Sequence, residues 1–101
     1  MAEANDRAGP TGPSAALEEL RERFVAGLPQ RWHEIANDID LSRRGQALHR
    51  LAGAAGSYGF DAVGTAARAA EHALASGDAA AFDRALARLR DRLVEQGVTL
   101  R

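Results

Sequence analysis

One histidine of this chain stands among unusually small residues. Residues 48–60 read LHRLAGAAGSYGF, a run rich in glycine and alanine. On a helix of about 3.6 residues per turn, the neighbours of a residue lie three, four and seven positions away. For His49 these neighbours are Gly45, Gln46, Ala52, Gly53 and Gly56. If the segment is helical, the imidazole therefore projects from a nearly bare face.

Glycine is a costly choice on a helix, so the pattern calls for a functional reason. Each glycine lowers helix stability by about 1 kcal/mol relative to alanine. A bare face would let another protein lie flat against the helix and reach the ring of His49. A neutral imidazole has a free nitrogen that is a competent nucleophile at neutral pH. We therefore interpret His49 as a candidate phosphoryl acceptor. The docking face that we expect around it comprises Gly45, Gln46, Arg50, Ala52, Gly53 and Gly56.

Other sites are disfavoured by the same residues. Gly53, Gly56 and Gly59 have no preceding strand pattern and no Gly-Lys-Ser/Thr ending, which argues against a nucleotide-binding loop. We predict no metal site, because the chain has no Glu-x-x-His pair and its histidines are scattered. His33 and His72 have no companion motif, and we interpret both as solvated surface residues.

Composition narrows the class of protein. The chain has 101 residues, which suits one domain, and is 46% hydrophobic but only 5% aromatic, which favours helix packed on helix. It has no cysteine, so disulfides, thiolate catalysis and zinc–sulfur sites are excluded. A net charge of −1 gives no attraction to nucleic acid or anionic lipid. With no signal-peptide pattern or membrane-length apolar run, we expect a soluble cytoplasmic protein.

The first half of the chain predicts a loose start and a broken first helix. Residues 1–13 are rich in Ala, Gly and Pro without periodicity, and we expect this segment to be disordered, with the helical domain spanning residues 14–101. Ser14 is a candidate N-cap. Pro29 predicts a kink, or two helices that meet near Leu28. The apolar stripe that crosses this point comprises Leu17, Leu20, Phe24, Leu28, Trp32, Ile35 and Ile39.

Three further helices are expected, each with a start and a stop signal. The first of them is capped by Asp40 or Ser42 and ends at Gly59. The second ends at Gly77. The third is capped by Asp78 and ends at Gly97. The residues that we expect them to turn toward the core are Leu41, Leu48, Leu51, Ala55 and Tyr58 in the first, Val63, Ala66, Ala67, Ala70, Ala73 and Leu74 in the second, and Phe82, Leu86, Leu89 and Leu93 in the third.

These elements predict an all-α fold. No window alternates apolar and polar residues long enough to form a strand. The predicted connections are short, which favours antiparallel neighbours. We therefore expect an antiparallel up-and-down four-helix bundle with a kinked or split first helix.

The histidine segment resembles a known family. The run His49-Arg50-Leu51-Ala52-Gly53, with Gly59 ten residues after the histidine and Glu71 twenty-two after it, resembles the histidine phosphotransfer (HPt) domain. The core of that family's pattern is H-x-L-K-G. The Gly-Ser-Tyr-Gly-Phe run at 56–60 is also similar to a segment of the phosphoacceptor domain of chemotaxis kinases. The resemblance covers about residues 14–97, and one departure is plain: Ala52 stands where the family has lysine.

The resemblance implies a phosphocarrier in a multi-step phosphorelay. Such a carrier is not an enzyme with its own ATP site. Its histidine takes a phosphoryl group from a receiver-domain aspartate and passes it to another, by attack through Nε2. Its partners would be receiver domains of response regulators and a hybrid histidine kinase, with magnesium held by the receiver and no cofactor on the carrier, which we expect to be a monomer. The alternative is an unphosphorylated HPt-like adaptor or inhibitor that binds a receiver or a kinase.

Two residues of the next helix are candidates to assist His49. Glu71 could hold the Nδ1 proton, as the resemblance implies, or it could be a solvated acid on an alanine-rich helix. Arg68 shares a helical face with Glu71 and is our candidate to contact the phosphoryl group in place of the missing lysine, with solvation again the competing interpretation. Arg50 and Arg43 are the other nearby cations, and Arg50 is better placed to meet the receiver.

Overall fold

The computed structural model describes residues 13–100, and these residues form helices joined by short turns without any strand. The predicted all-α class is therefore confirmed over this range. The expected N-terminal segment, residues 1–13, lies outside the described residues except for Pro13, where the first helix begins. The helices are α1 (Pro13–Ala26), α2 (Leu28–Asn37), α3 (Leu41–Ser57), α4 (Asp61–Ser76) and α5 (Ala79–Val94).

The break in the first helix lies where Pro29 predicts it. Gly27 separates α1 from α2, and its N–H donates to the carbonyls of both Arg23 and Phe24, each at 3.1 Å. Pro29 sits in the first turn of α2, where a residue without an N–H is tolerated. The interpretation of two helices meeting near Leu28 is confirmed.

The helix ends follow local signals. Asp40, rather than Ser42, caps α3, with Oδ1 accepting from the Arg43 N–H at 3.1 Å. Asp78 caps α5 in the same way, accepting from the Ala81 N–H at 3.0 Å. The three predicted stop glycines all have positive φ, the conformation that favours glycine at a helix end: Gly59, Gly77 and Gly97. The prediction of Ser14 as an N-cap is wrong, because α1 begins at Pro13 and Ser14 already lies inside the helix.

The core lies between α2, α3, α4 and α5. The largest fully buried side chains are Leu28, Ile35, Leu48, Leu51, Val63, Leu89 and Leu93. Helix α4 packs against both α3 and α5, and the residues it buries there include four alanines, Ala66, Ala67, Ala70 and Ala73. Because these side chains are small, α3 and α4 approach closely, and this contact positions the candidate site.

Four residues of the predicted apolar faces are exposed instead of buried. They are Leu17, Leu20, Ile39 and Leu41. Helix α1 reaches the core through Phe24, whose ring centroid lies 5.2 Å from that of Phe60. Ile39 and Leu41 lie on either side of the cap at the start of α3. Periodicity identifies the apolar face of a helix, but burial requires a neighbour at the same height, so the predicted burial of Leu41 was wrong.

Candidate functional site

The candidate site lies where α3 and α4 face each other. His49 projects from α3, and its side chain is 78% exposed. Glu71 projects from α4, and its side chain is 34% exposed. The Nδ1 atom of His49 lies 3.2 Å from Oε2 of Glu71. The packing of α3 on α4 thus joins two residues that are 22 positions apart in the chain.

This contact has a consequence for the tautomer of the ring. A carboxylate oxygen only accepts hydrogen bonds, so the Nδ1 atom must carry the proton for the bond to form. A neutral ring with its proton on Nδ1 leaves Nε2 as the free nitrogen. The arrangement favours an exposed imidazole whose nucleophilic atom is Nε2.

A shallow open groove of about 420 Å³ runs beside the imidazole. It is lined by Ser42, Gly45, Gln46, His49, Arg50 and Glu71. The structure therefore gathers three of the predicted docking residues, Gly45, Gln46 and Arg50, around the histidine. Sequence reasoning missed Ser42 as a groove residue. Its position seven residues before His49, two turns along the same face, was the available signal.

The glycines on this face are not required by packing. Apart from the surrounding turns of α3 itself, a Cβ atom added at Gly53 or Gly56 would meet nothing within 4 Å. A Cβ atom at Gly45 would lie 3.6 Å from the Cδ2 atom of Leu74, which is an ordinary contact. The fold would therefore accept side chains at these positions, and their absence keeps the surface around His49 flat.

Ala52 does not belong to the docking face, and that part of the prediction is wrong. It is only 3% exposed. A residue three positions after His49 is rotated by about 60° around the helix, and here this rotation turns the side chain of Ala52 into the core. Its carbonyl oxygen would lie 3.5 Å from a Cβ atom at Gly64, which places it against α4.

The nearby arginines differ in their surroundings. Arg43 is bound to Asp38 by two hydrogen bonds, Nε to Oδ2 at 2.8 Å and Nη2 to Oδ1 at 3.2 Å. The Arg43 guanidinium holds the pKa of Asp38 below its usual range, and this carboxylate raises the pKa of Arg43. Arg50 is exposed and lines the groove.

Arg68 is placed one turn before Glu71 on α4, as its spacing predicts. Its Nη2 atom lies 3.6 Å from the position of a Cβ atom on Gly64, so the guanidinium extends along α4 toward the start of that helix. The structure thus brings Arg68 to the same surface as Glu71 without joining it to His49. The side chain is exposed.

The other two histidines stay apart from this surface. His33 is exposed on α2, where its Nδ1 atom accepts a hydrogen bond from the Nδ2 atom of Asn37 at 2.8 Å. His72 is exposed on α4. Within residues 13–100, no three metal-ligating side chains cluster, and none of the helices in that range is long and apolar enough to cross a membrane.

Comparison with known proteins identifies a family. The family model for the Hpt domain matches residues 19–96, which is more than half of the chain and includes both His49 and Glu71. No curated protein and no solved structure matches the chain.

Proposed function

The chain belongs to the Hpt domain family, and on this premise we propose that it relays a phosphoryl group between receiver-domain aspartates in a multi-step phosphorelay, with His49 as the phosphoacceptor. Hpt domains carry out histidine phosphotransfer in phosphorelay signalling, as phosphocarriers rather than kinases. The observation that carries the assignment of His49 is its hydrogen bond to Glu71 across an open groove, which leaves Nε2 exposed for reaction.

The proposed step exchanges one bond to phosphorus for another. The lone pair of Nε2 attacks the phosphorus of an aspartyl phosphate, and the Nε2–P bond forms as the P–O bond to the aspartate breaks. The aspartate leaves as a carboxylate with the bonding electrons. The imidazole keeps its Nδ1 proton and becomes positively charged, and the adjacent Glu71 carboxylate stabilises that charge. The reverse step delivers the group to a second receiver.

The partners we propose are receiver domains of response regulators and a hybrid histidine kinase that feeds them. The receiver supplies magnesium and the carboxylates that hold it, which neutralise the charge of the transferring group. One copy of the chain supplies both His49 and Glu71, so we propose a monomer. We place it in the cytoplasm, because the ATP that feeds a histidine kinase is a cytoplasmic nucleotide.

The arrangement we propose for the bundle is antiparallel and up-and-down. Residues 58–60 connect α3 to α4, and residues 77–78 connect α4 to α5. Connections this short favour antiparallel neighbours, and each of these helix pairs is in contact. This order sets Glu71 level with His49 on the adjoining helix.

The alternative of an unphosphorylated adaptor is not favoured. Its only support is Ala52 in place of the family lysine, and Ala52 lies in the core, away from the exposed face around His49. The histidine, the acid and the open groove are all retained. No separate observation favours an adaptor.

Transfer of label tests the proposed function. The wild-type protein is incubated with a receiver domain carrying radiolabelled aspartyl phosphate, or with a hybrid kinase and radiolabelled ATP. We expect label on this chain that is lost in acid and stable in base, as a phosphohistidine is. A chain that stays unlabelled with every donor would overturn the proposal.

Replacement of Glu71 by alanine is expected to slow phosphotransfer about tenfold, the cost of one charge-assisted hydrogen bond. Without the carboxylate, the proton of His49 is free to move to Nε2, the attacking atom. The rate is measured by quenched-flow transfer from a labelled receiver, and ¹⁵N NMR of the ring reports the tautomer. Glu71→Gln is the matched control: its amide oxygen still accepts from Nδ1, so it should recover part of the rate. Equal rates in the wild type and in Glu71→Ala would contradict a positioning role.

Replacement of Arg68 by alanine is expected to slow transfer, or to shorten the phosphohistidine lifetime, by about two- to fivefold. We propose that its guanidinium turns to the phosphoryl group, an interaction between exposed charges that salt screens. The effect should therefore be larger at low ionic strength. Arg50→Ala, which removes a cation of the docking face, is measured in parallel. Unchanged kinetics in both variants would mean that His49 works without a neighbouring cation.

A further inference from the structure

Two apolar side chains at the start of α3 are left in solvent. Ile39 is 92% exposed and Leu41 is 61% exposed, more than any other large hydrophobic residue that the structure describes. A single exposed leucine on a protein surface is ordinary. Here two lie within three residues, on either side of the α3 cap, and the fold buries neither of them; Ile39 and Leu41 are together called the apolar patch.

This patch borders the groove of the candidate site. Leu41, Gly45 and His49 follow one another at four-residue steps along α3, so they form one ridge of the helix surface. Leu41 lies eight residues before His49, a distance of about 12 Å along the helix axis. The groove beside His49 extends to Ser42, which adjoins Leu41 in the chain. The groove therefore leads from the imidazole toward the patch.

An interface of ordinary size centred on His49 would extend to Leu41. A standard interface buries about 800 Å² on each partner, which corresponds to a disc of about 16 Å radius. Leu41 falls inside such a disc centred on His49. In the opposite direction along α3, Gly53 and Gly56 offer only bare backbone, and the other leucines of α3, Leu48 and Leu51, are fully buried. The apolar contact that α3 can make is thus confined to its first turn.

Charge next to the patch is largely compensated. The guanidinium of Arg43 is bound to Asp38. The carboxylate of Asp40 accepts from the first turn of α3, where the helix dipole stabilises it. Attraction at this end of the groove therefore depends on burying apolar surface rather than on pairing with an acidic partner.

We propose that Ile39 and Leu41 are the apolar anchor that binds the receiver domain and sets its orientation. The receiver would rest an apolar surface patch on these two side chains while its aspartate lies over His49. Buried apolar anchors of this kind carry much of the affinity of an interface. The inference rests on the proposed phosphocarrier function. It adds that the contacting surface of the receiver is apolar and that the receiver extends from His49 toward the first turn of α3.

The test compares two double variants of the full chain. Ile39→Ala with Leu41→Ala removes the anchor without adding charge, and Leu17→Ala with Leu20→Ala removes two exposed leucines from α1 as the matched control. Binding of an unphosphorylated receiver domain that exchanges phosphate with the wild type is measured by calorimetry. We expect the anchor variant to bind at least about tenfold more weakly, and the α1 variant to bind like the wild type.

Kinetics separate the anchor from the chemistry. The KM for the receiver should rise in the anchor variant, while the rate at saturating receiver stays unchanged. Direct labelling by phosphoramidate, in which Nε2 displaces ammonia from phosphorus, needs no docking and should also stay unchanged. Wild-type affinity in the anchor variant, or an equal loss in the α1 variant, would overturn the anchor. A wild-type chain that phosphoramidate and receivers both leave unlabelled would instead overturn the phosphocarrier function.

Discussion

Replacement of His49 by glutamine is expected to abolish phosphorylation of this protein by any donor. Glutamine retains polar atoms near the ring position but has no nucleophilic nitrogen, so no bond to phosphorus can form. Because the His49 side chain is 78% exposed, its loss leaves no cavity and the helical content should not change. Labelling with a phosphorylated receiver measures the loss, and circular dichroism checks the fold.

The other two histidines provide matched controls for this experiment. His33→Gln and His72→Gln make the same chemical change at exposed helical positions away from the groove. Both variants should accept label as the wild type does. Phosphotransfer that persists in His49→Gln, or that disappears in either control, would refute the assignment of the acceptor.

Replacement of Gly53 by leucine is expected to lower the rate of transfer from a receiver about 100-fold, the scale of loss when reacting groups are misplaced by about 1 Å. Gly53 lies one turn after His49, and a Cβ atom there would meet nothing within 4 Å. The leucine therefore projects into the docking face and holds the partner away from the ring. The stability of the fold should stay equal or rise, because leucine favours a helix more than glycine does.

Two measurements isolate the effect of shape. Gly53→Ala adds one methyl group to the same position and should keep most of the transfer rate. Labelling by phosphoramidate should be normal in Gly53→Leu, since a small donor reaches His49 without docking. A wild-type rate of transfer from a receiver to Gly53→Leu would contradict the requirement for a flat face, and a lower melting temperature would show that the fold had changed.

The parts of the fold that local rules govern could be predicted from the sequence. The break beside Pro29, the Asp78 cap and the left-handed glycines at 59, 77 and 97 each depend on a few adjacent residues. The same holds for the small residues around His49, because their spacing along a helix decides which of them share a face with the histidine. The order of residue types along the chain is therefore enough to predict a histidine on a bare helical face.

Burial could be predicted less well. Leu17, Leu20, Ile39 and Leu41 continue the apolar periodicity and yet are exposed. Ala52 falls beside His49 in a helical projection and is nevertheless in the core. A helical projection gives the angle between two residues, but not the direction from which the next helix approaches. The errors therefore fall at the helix ends and at the edge of the docking face.

The helices, most of their ends and the position of the candidate acceptor follow from the amino-acid sequence, because they depend on contacts within one or two turns. What surrounds that acceptor depends on how the helices pack. The 3.2 Å contact between His49 and Glu71 requires α4 to pack on α3 at one height and one rotation. That packing is set by the buried alanines of α4 acting together, and it also decides which face of α3 is left open for a partner.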